Sequence, residues 1–233
     1  MTVCQPFASG CRAPYDPETV FDRKARFFDR WALTYDWLLP SVFYQAVHQR
    51  LLEYVQLPEA AIVLDIGCGT GRLLNRLAAR YPDLRGYGLD LAPVMLQQAR
   101  RSNQHHPRLI FKQGRSDAIP FGDNFFNAAF STISFLHYPD PQAVMGEVYR
   151  VLQPGGRFYL VDYTTTFLTG CRQAIAVSPG GLRFYSRSAR EALGQQAHLT
   201  CIGHHSLIGP VLLTIFQKQA LLSLWWGRYA PPP

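Results

Sequence analysis

The chain has 233 residues, 48% of them hydrophobic and 17% charged, with a formal net charge of +7. That is enough for one large domain and too little for two full ones, the composition is globular, and no apolar run approaches the length that spans a bilayer. Five cysteines (Cys4, Cys11, Cys68, Cys171, Cys201) are an odd number without a Cys-x-x-Cys pair or a Cys/His cluster at zinc spacing, so free thiols and no metal are expected.

Residues 1–17, with Pro6, Gly10, Pro14 and Pro17 and no periodicity, are expected to form a loose arm. The N-terminus lacks the basic region and apolar core of a secretory signal, so a cytoplasmic location is expected. From Pro17 a helical pattern sets in, with Phe28, Trp31, Tyr35 and Leu38 on one face. Val42 to Val55 gives a second amphipathic helix that ends before Pro58. These helices make a cap over 18–56, ahead of a core over 57–219.

The core opens on Ile62 to Ile66, an apolar β-branched run suited to a strand buried on both faces. Gly67, Gly69 and Gly71 follow, and then a helix over Thr70 to Tyr81 that Pro82 stops. A second strand, Arg85 to Leu89, ends in Asp90. Leu91 to Asn103 reads as a helix with Pro93 in its first turn, Leu109 to Gln113 as a third strand, and Phe126 to Ser131 as a fourth. Gln142 to Leu152 is the next helix, and Arg157 to Asp162 a fifth strand after the Pro154-Gly155-Gly156 turn. Phe167 to Val177 is expected to be a short helix, 178–181 a loop, and Ser186 to Ala197 a helix capped by Ser186 or Ser188. Leu199 to Leu207 and Val211 to Lys218 complete the pattern as an antiparallel pair. Such alternation predicts an α/β fold, a doubly wound, mostly parallel seven-stranded sheet with an antiparallel last strand.

The glycine loop decides what the sheet binds. A dinucleotide fold wants Gly-x-Gly-x-x-Gly so that a helix N-terminus faces a pyrophosphate, but Arg72 occupies the third glycine's position and the spacing is Gly-x-Gly-x-Gly. Asp65, at the end of the first strand, would repel a pyrophosphate and attract an ammonium. Asp90, nineteen residues after Gly71, can accept bonds from both hydroxyls of a ribose. A ligand with an amino-acid end, a ribose and no phosphate is S-adenosylmethionine.

Over about residues 20–165 the chain resembles the class I S-adenosylmethionine-dependent methyltransferases, in the small-molecule branch that includes the quinone-ring methyltransferases of ubiquinone and menaquinone synthesis. The resemblance implies a Rossmann-like fold and cofactor contacts from Asp65, Gly67, Cys68, Gly69, Thr70, Gly71, Asp90 and Leu91. Ala32 to Asp36 looks like the family's Ala-x-x-Tyr-Asp signature, which would set Tyr35 beside the methionine end. Leu152 to Asp162 resembles its fifth-strand motif. Gly114 to Asn127 lines up with Gly-Asp-Ala-x-x-Leu-Pro-Phe-x-Asp-x-x-Phe-Asp, with two departures: Arg115 and Asn127 stand where the family has acids. Asp117 is expected to replace the first by a small loop shift, with the Ser116 backbone at the adenine edge and Arg115 turned outward.

His137 and Tyr138 follow the fourth strand, where an open α/β sheet places its active site, and are the candidate catalytic residues. His48, Asp162, Tyr163 and the His204-His205 pair read as structural. The resemblance implies a small aromatic or lipophilic acceptor and no specific nucleic acid. Two other readings stay open. An RNA methyltransferase draws on the basic C-terminal third, where Glu191 is the only acid from Tyr163 onward, and a cofactor-binding accessory protein that has lost transfer draws on Arg115. The 220–233 tail, with Leu221, Leu222, Leu224, Trp225 and Trp226, either packs back on the domain or meets a membrane or another subunit. A single Arg228 gives weak attraction to lipid, so packing back is expected and membrane contact is the alternative.

Overall fold

The computed structural model describes residues 22–26, 38–164, 171–174 and 181–220, so Tyr35, the arm and most of the C-terminal tail lie outside the described residues. The strands among them are β1 (Ile62–Ile66), β2 (Arg85–Asp90), β3 (Leu109–Gln113), β4 (Phe126–Thr132), β5 (Leu152–Tyr163), β6 (Cys171–Ala174), β7 (Leu182–Tyr185), β8 (Leu199–Ser206) and β9 (Val211–Lys218). Seven of them form the central sheet, in the order β3-β2-β1-β4-β5-β9-β8. β1 to β5 pair in parallel, and β9 runs antiparallel to both β5 and β8. Strand order reverses between β1 and β4, where the chain leaves the sheet in opposite directions and opens a crevice at the carboxyl ends.

Helices α1 (Leu38–Leu52), α2 (Arg72–Arg80), α3 (Pro93–Arg101), α4 (Pro141–Val151) and α5 (Arg187–Gln196) cover the sheet. α2 presents Leu73, Leu74, Leu77 and Ala78 to the core, while Arg80 is exposed and Arg76 reaches the buried His48 at 3.0 Å. One apolar cluster joins α1, α2 and α3 to one face, and a second joins α4 and α5 to the other. Caps fall where the sequence supplies them: the Asp140 carboxylate accepts from the Ala143 N–H at 3.0 Å, and the Ser186 hydroxyl from the Ala189 N–H at 3.2 Å.

Some expectations shift. α1 runs from Leu38 to Leu52 where Val42 to Val55 was expected, and Pro40 sits in its first turn, where a missing N–H costs little. Cys171–Ala174 is strand β6, paired antiparallel with β7, where a helix was expected. A four-residue run has no period strong enough to separate the two, and the neighbouring strand decides. Asn127, at the position of a family acid, is structural here. Its Oδ1 accepts from the Ile62 N–H at 2.8 Å and its Nδ2 donates to Gln153 at 2.8 Å.

Candidate active site

β1, β2 and β4 end around the crevice, and the loop between β1 and α2 forms its floor. Gly67, Gly69 and Gly71 have φ of 70°, 51° and 74°, the left-handed region that glycine enters freely. Space divides them. A Cβ on Gly67 would come within 2.6 Å of Ser134 and one on Gly71 within 2.7 Å of the Phe111 ring, whereas nothing lies within 4 Å of that position on Gly69. The outer two glycines are closed by packing, and the middle one turns its main chain to open space, the shape of a cradle.

Asp90 holds that cradle. Its Oδ2 accepts from the Gly69 N–H at 2.7 Å and its Oδ1 from the Ala92 N–H at 2.9 Å, charge-assisted bonds that fix the carboxylate at the end of β2. Asp65 is only 2% exposed, and burial, reinforced by the Asp90 charge, pushes its carboxyl up to about 8. A buried acid raised in this way ionises when a cation arrives.

Two hollows meet around the loop and share Tyr44, Gly67, Gly69 and Thr132. The larger, about 900 Å³ counting its open mouth, is within the range of a small-molecule site and is walled by Leu89, Asp90, Leu91 and Met95 on one side and by Gly114, Arg115 and Ser116 on another. The smaller contains Asp65, Cys68, Thr70 and Arg72. Cys68 is buried and its thiol is pushed well up by burial and the two acids, which makes it inert. Arg115 is placed otherwise than expected: it lines the cleft, so it is not turned outward, and it clamps Asp117 with Nε and an Nη at 2.9 and 2.8 Å.

His137 lines the cleft, and burial with the Lys24 charge lowers it to about 4, so it is a neutral imidazole at neutral pH. Tyr138 hydrogen-bonds to Ser134 Oγ and to the Ile66 carbonyl, each at 3.0 Å, and burial raises its hydroxyl far above the usual value. That hydroxyl fastens the β4 loop to the end of β1 and stays protonated near neutral pH. Lys24, in the 22–26 helical stretch, is the group that the sequence did not disclose. It is 3% exposed, donates to the His137 carbonyl, and is lowered to about 8 by burial and by Arg183. Among Asp22, Arg23 and Arg26 it reads as one more solvated charge, and only the tertiary contact distinguishes it. Ile133, also in the cleft, has φ of 50°, a strained conformation for a β-branched residue of the kind that collects at functional sites.

Residues 63–156 match the family described as "Methyltransferase domain". Among curated relatives, a 2-phytyl-1,4-naphtoquinone methyltransferase of Thermosynechococcus vestitus is 33% identical over 142 residues, 59% of this chain and 63% of its own length. A demethylmenaquinone methyltransferase of Thermus thermophilus is 36% identical over 102 residues, 43% of this chain and 46% of its own. The chain therefore spans less than two thirds of each. Among solved structures, the 1,6-didemethyltoxoflavin-N1-methyltransferase of Burkholderia thailandensis, with S-adenosylhomocysteine bound, superposes with a TM-score of 0.70 at 19% identity, over 92% of this chain and 94% of that one. A methyltransferase solved in complex with the Haloferax volcanii Trm112 activator gives 0.71 at 23%, over 82% and 97%. Both likenesses establish the fold.

Proposed function

We propose that this chain is a class I S-adenosylmethionine-dependent methyltransferase, a cytoplasmic enzyme that methylates a small lipophilic or aromatic acceptor. One observation carries the reading: two acids, Asp65 and Asp90, flank a glycine loop whose middle residue, Gly69, looks into the cleft. That set suits a ligand with a cation and a diol.

The bound cofactor supplies an electrophilic methyl group on a sulfonium, which leaves the protein to bind, orient and exclude water. Asp65 takes the ammonium. The first turn of α2, which has no side-chain cap and no acid, takes the carboxylate. Asp90 accepts from the ribose hydroxyls through lone pairs left after its two backbone bonds. Leu91 and Met95 pack on the adenine, and with Asp117 held by Arg115 the Ser116 main chain meets the ring edge. A phenol or enol acceptor must lose a proton to become a nucleophile, and Lys24, near 8, is matched to that step, whereas His137, near 4, is too weak a base.

The named activities of the relatives, on a phytyl naphthoquinone and a demethylmenaquinone, support a lipophilic acceptor. Burial weakens the RNA reading. Arg190 and Lys218 are buried, and Arg183 donates to the Tyr138 and Pro139 carbonyls, so three of the basic residues beyond Tyr163 serve the fold and are not free to meet phosphate. The test is calorimetric titration with S-adenosylhomocysteine, followed by transfer of labelled methyl to a prenylated naphthoquinol, a sterol and tRNA. Label in the quinol or sterol supports the reading, label in tRNA alone overturns the acceptor class, and tight binding without transfer to any acceptor supports the accessory alternative.

A further inference from the structure

At the outer edge of the sheet, away from the cleft, Glu191 on α5 meets Cys201 and His204 on β8. Their ligand atoms all lie within 4.8 Å of one another. His204 Nε2 is 2.9 Å from Glu191 Oε1 and 3.6 Å from Cys201 Sγ. Two residues three apart on a regular strand point to opposite faces. Here the β8–β9 ladder slips between Cys201 and Gly203, and this bulge brings both side chains to one side, against α5. The other ring nitrogen, Nδ1, is 3.0 Å from the buried hydroxyl of Thr214 on β9. A second partner of that kind fixes the ring of a metal-bound histidine and aims the free nitrogen.

We propose that Glu191, Cys201 and His204 form a surface site for a borderline divalent cation, best fitted by Zn²⁺. With Zn–S of about 2.3 Å and Zn–N of about 2.0 Å, a tetrahedral centre sets sulfur and nitrogen roughly 3.5 Å apart, and the separation found is 3.6 Å. Sulfur, nitrogen and oxygen donors together suit zinc, while calcium and magnesium want oxygen alone. On binding, the Cys201 thiol releases its proton to solvent and the thiolate takes the metal, and the fourth position stays open to water. The ion ties α5 to the edge strand. Cys201-Ile-Gly-His204 has a ligand spacing that the sequence hides, because without the bulge the pair would be split across the sheet.

The test uses the full chain, stripped with a chelator and titrated with Co²⁺. The expected result is a saturable thiolate-to-cobalt absorption band at one equivalent that Zn²⁺ displaces. Cys201→Ser abolishes the band, and Glu191→Gln, a change at a half-exposed carboxylate that leaves folding intact, weakens uptake about tenfold or more. No band, a band that survives Cys201→Ser, or affinity unchanged by Glu191→Gln would overturn the site and leave Glu191–His204 an ordinary contact between helix and strand. If Cys201→Ser fails to fold, Glu191→Gln and His204→Gln decide by the same affinity readout.

Discussion

At pH 7 a carboxyl held near 8 carries its proton in about nine molecules of ten, so apo-protein Asp65 is mostly neutral. An ammonium beside it reverses the balance, and binding of S-adenosylhomocysteine should then release about 0.9 proton from Asp65 at pH 7, with affinity rising about tenfold per pH unit below 8. Calorimetry in two buffers of different ionisation enthalpy reads this directly. Asp65→Asn should bind more weakly and lose the proton release, and the difference between the two proteins removes any titration of the ligand itself. The sign for stability follows from the same shift. The folded value lies above the ordinary 3.8, so between the two the unfolded chain holds fewer protons and apo-protein stability falls as pH rises from about 4 to 8. Ligand should offset that fall. Heats independent of buffer in the wild type, or equal proton release in Asp65→Asn, would refute the placing of the ammonium.

Asp90→Ala removes two charge-assisted bonds, each worth about 1.5–3 kcal/mol, and should lower cofactor affinity at least tenfold by calorimetry, more than any change in residues 1–17. Lys24→Met should lower kcat on a phenolic acceptor with KM little changed and erase the limb of the pH–rate profile near 8, which stopped-flow or steady-state assays across pH would read. Gly67→Ala combines φ of 70° with a contact of 2.6 Å to Ser134 and should cost about 1–3 kcal/mol, seen as a lower melting temperature. Truncation after Gln219 should lower the melting temperature and leave liposome binding unchanged; the reverse result would make the tail a membrane contact.

What the sequence disclosed is what local chemistry imposes. Third-strand bounds, a capping serine at Ser186 or Ser188 and the last antiparallel pair follow from apolar runs, a hydroxyl before a helix and turn residues, and the structure places the strands there and the cap at Ser186. The acids at Asp65 and Asp90 were legible because each closes a strand beside the glycine loop. Long-range contacts were not. Lys24 becomes a cleft residue only by docking on His137, Arg115 claims Asp117 through a pairing that the spacing allows but does not require, and Arg190 is an ordinary helical arginine until its guanidinium meets the carbonyls of Leu212 and Asp162 at 2.9 Å each. β6 depends on a partner strand, and the Cys201–His204 pair on a bulge. In each case the deciding atom belongs to a distant part of the chain.

Methyl transfer to a lipophilic small molecule is tested most directly by incubating the protein with methyl-labelled S-adenosylmethionine and a whole-cell extract, then separating lipid-soluble, water-soluble and RNA fractions. Label is expected in the lipid-soluble fraction and should be lost in Asp90→Ala; label confined to RNA, or absent from all three with cofactor binding intact, would contradict transfer to such an acceptor.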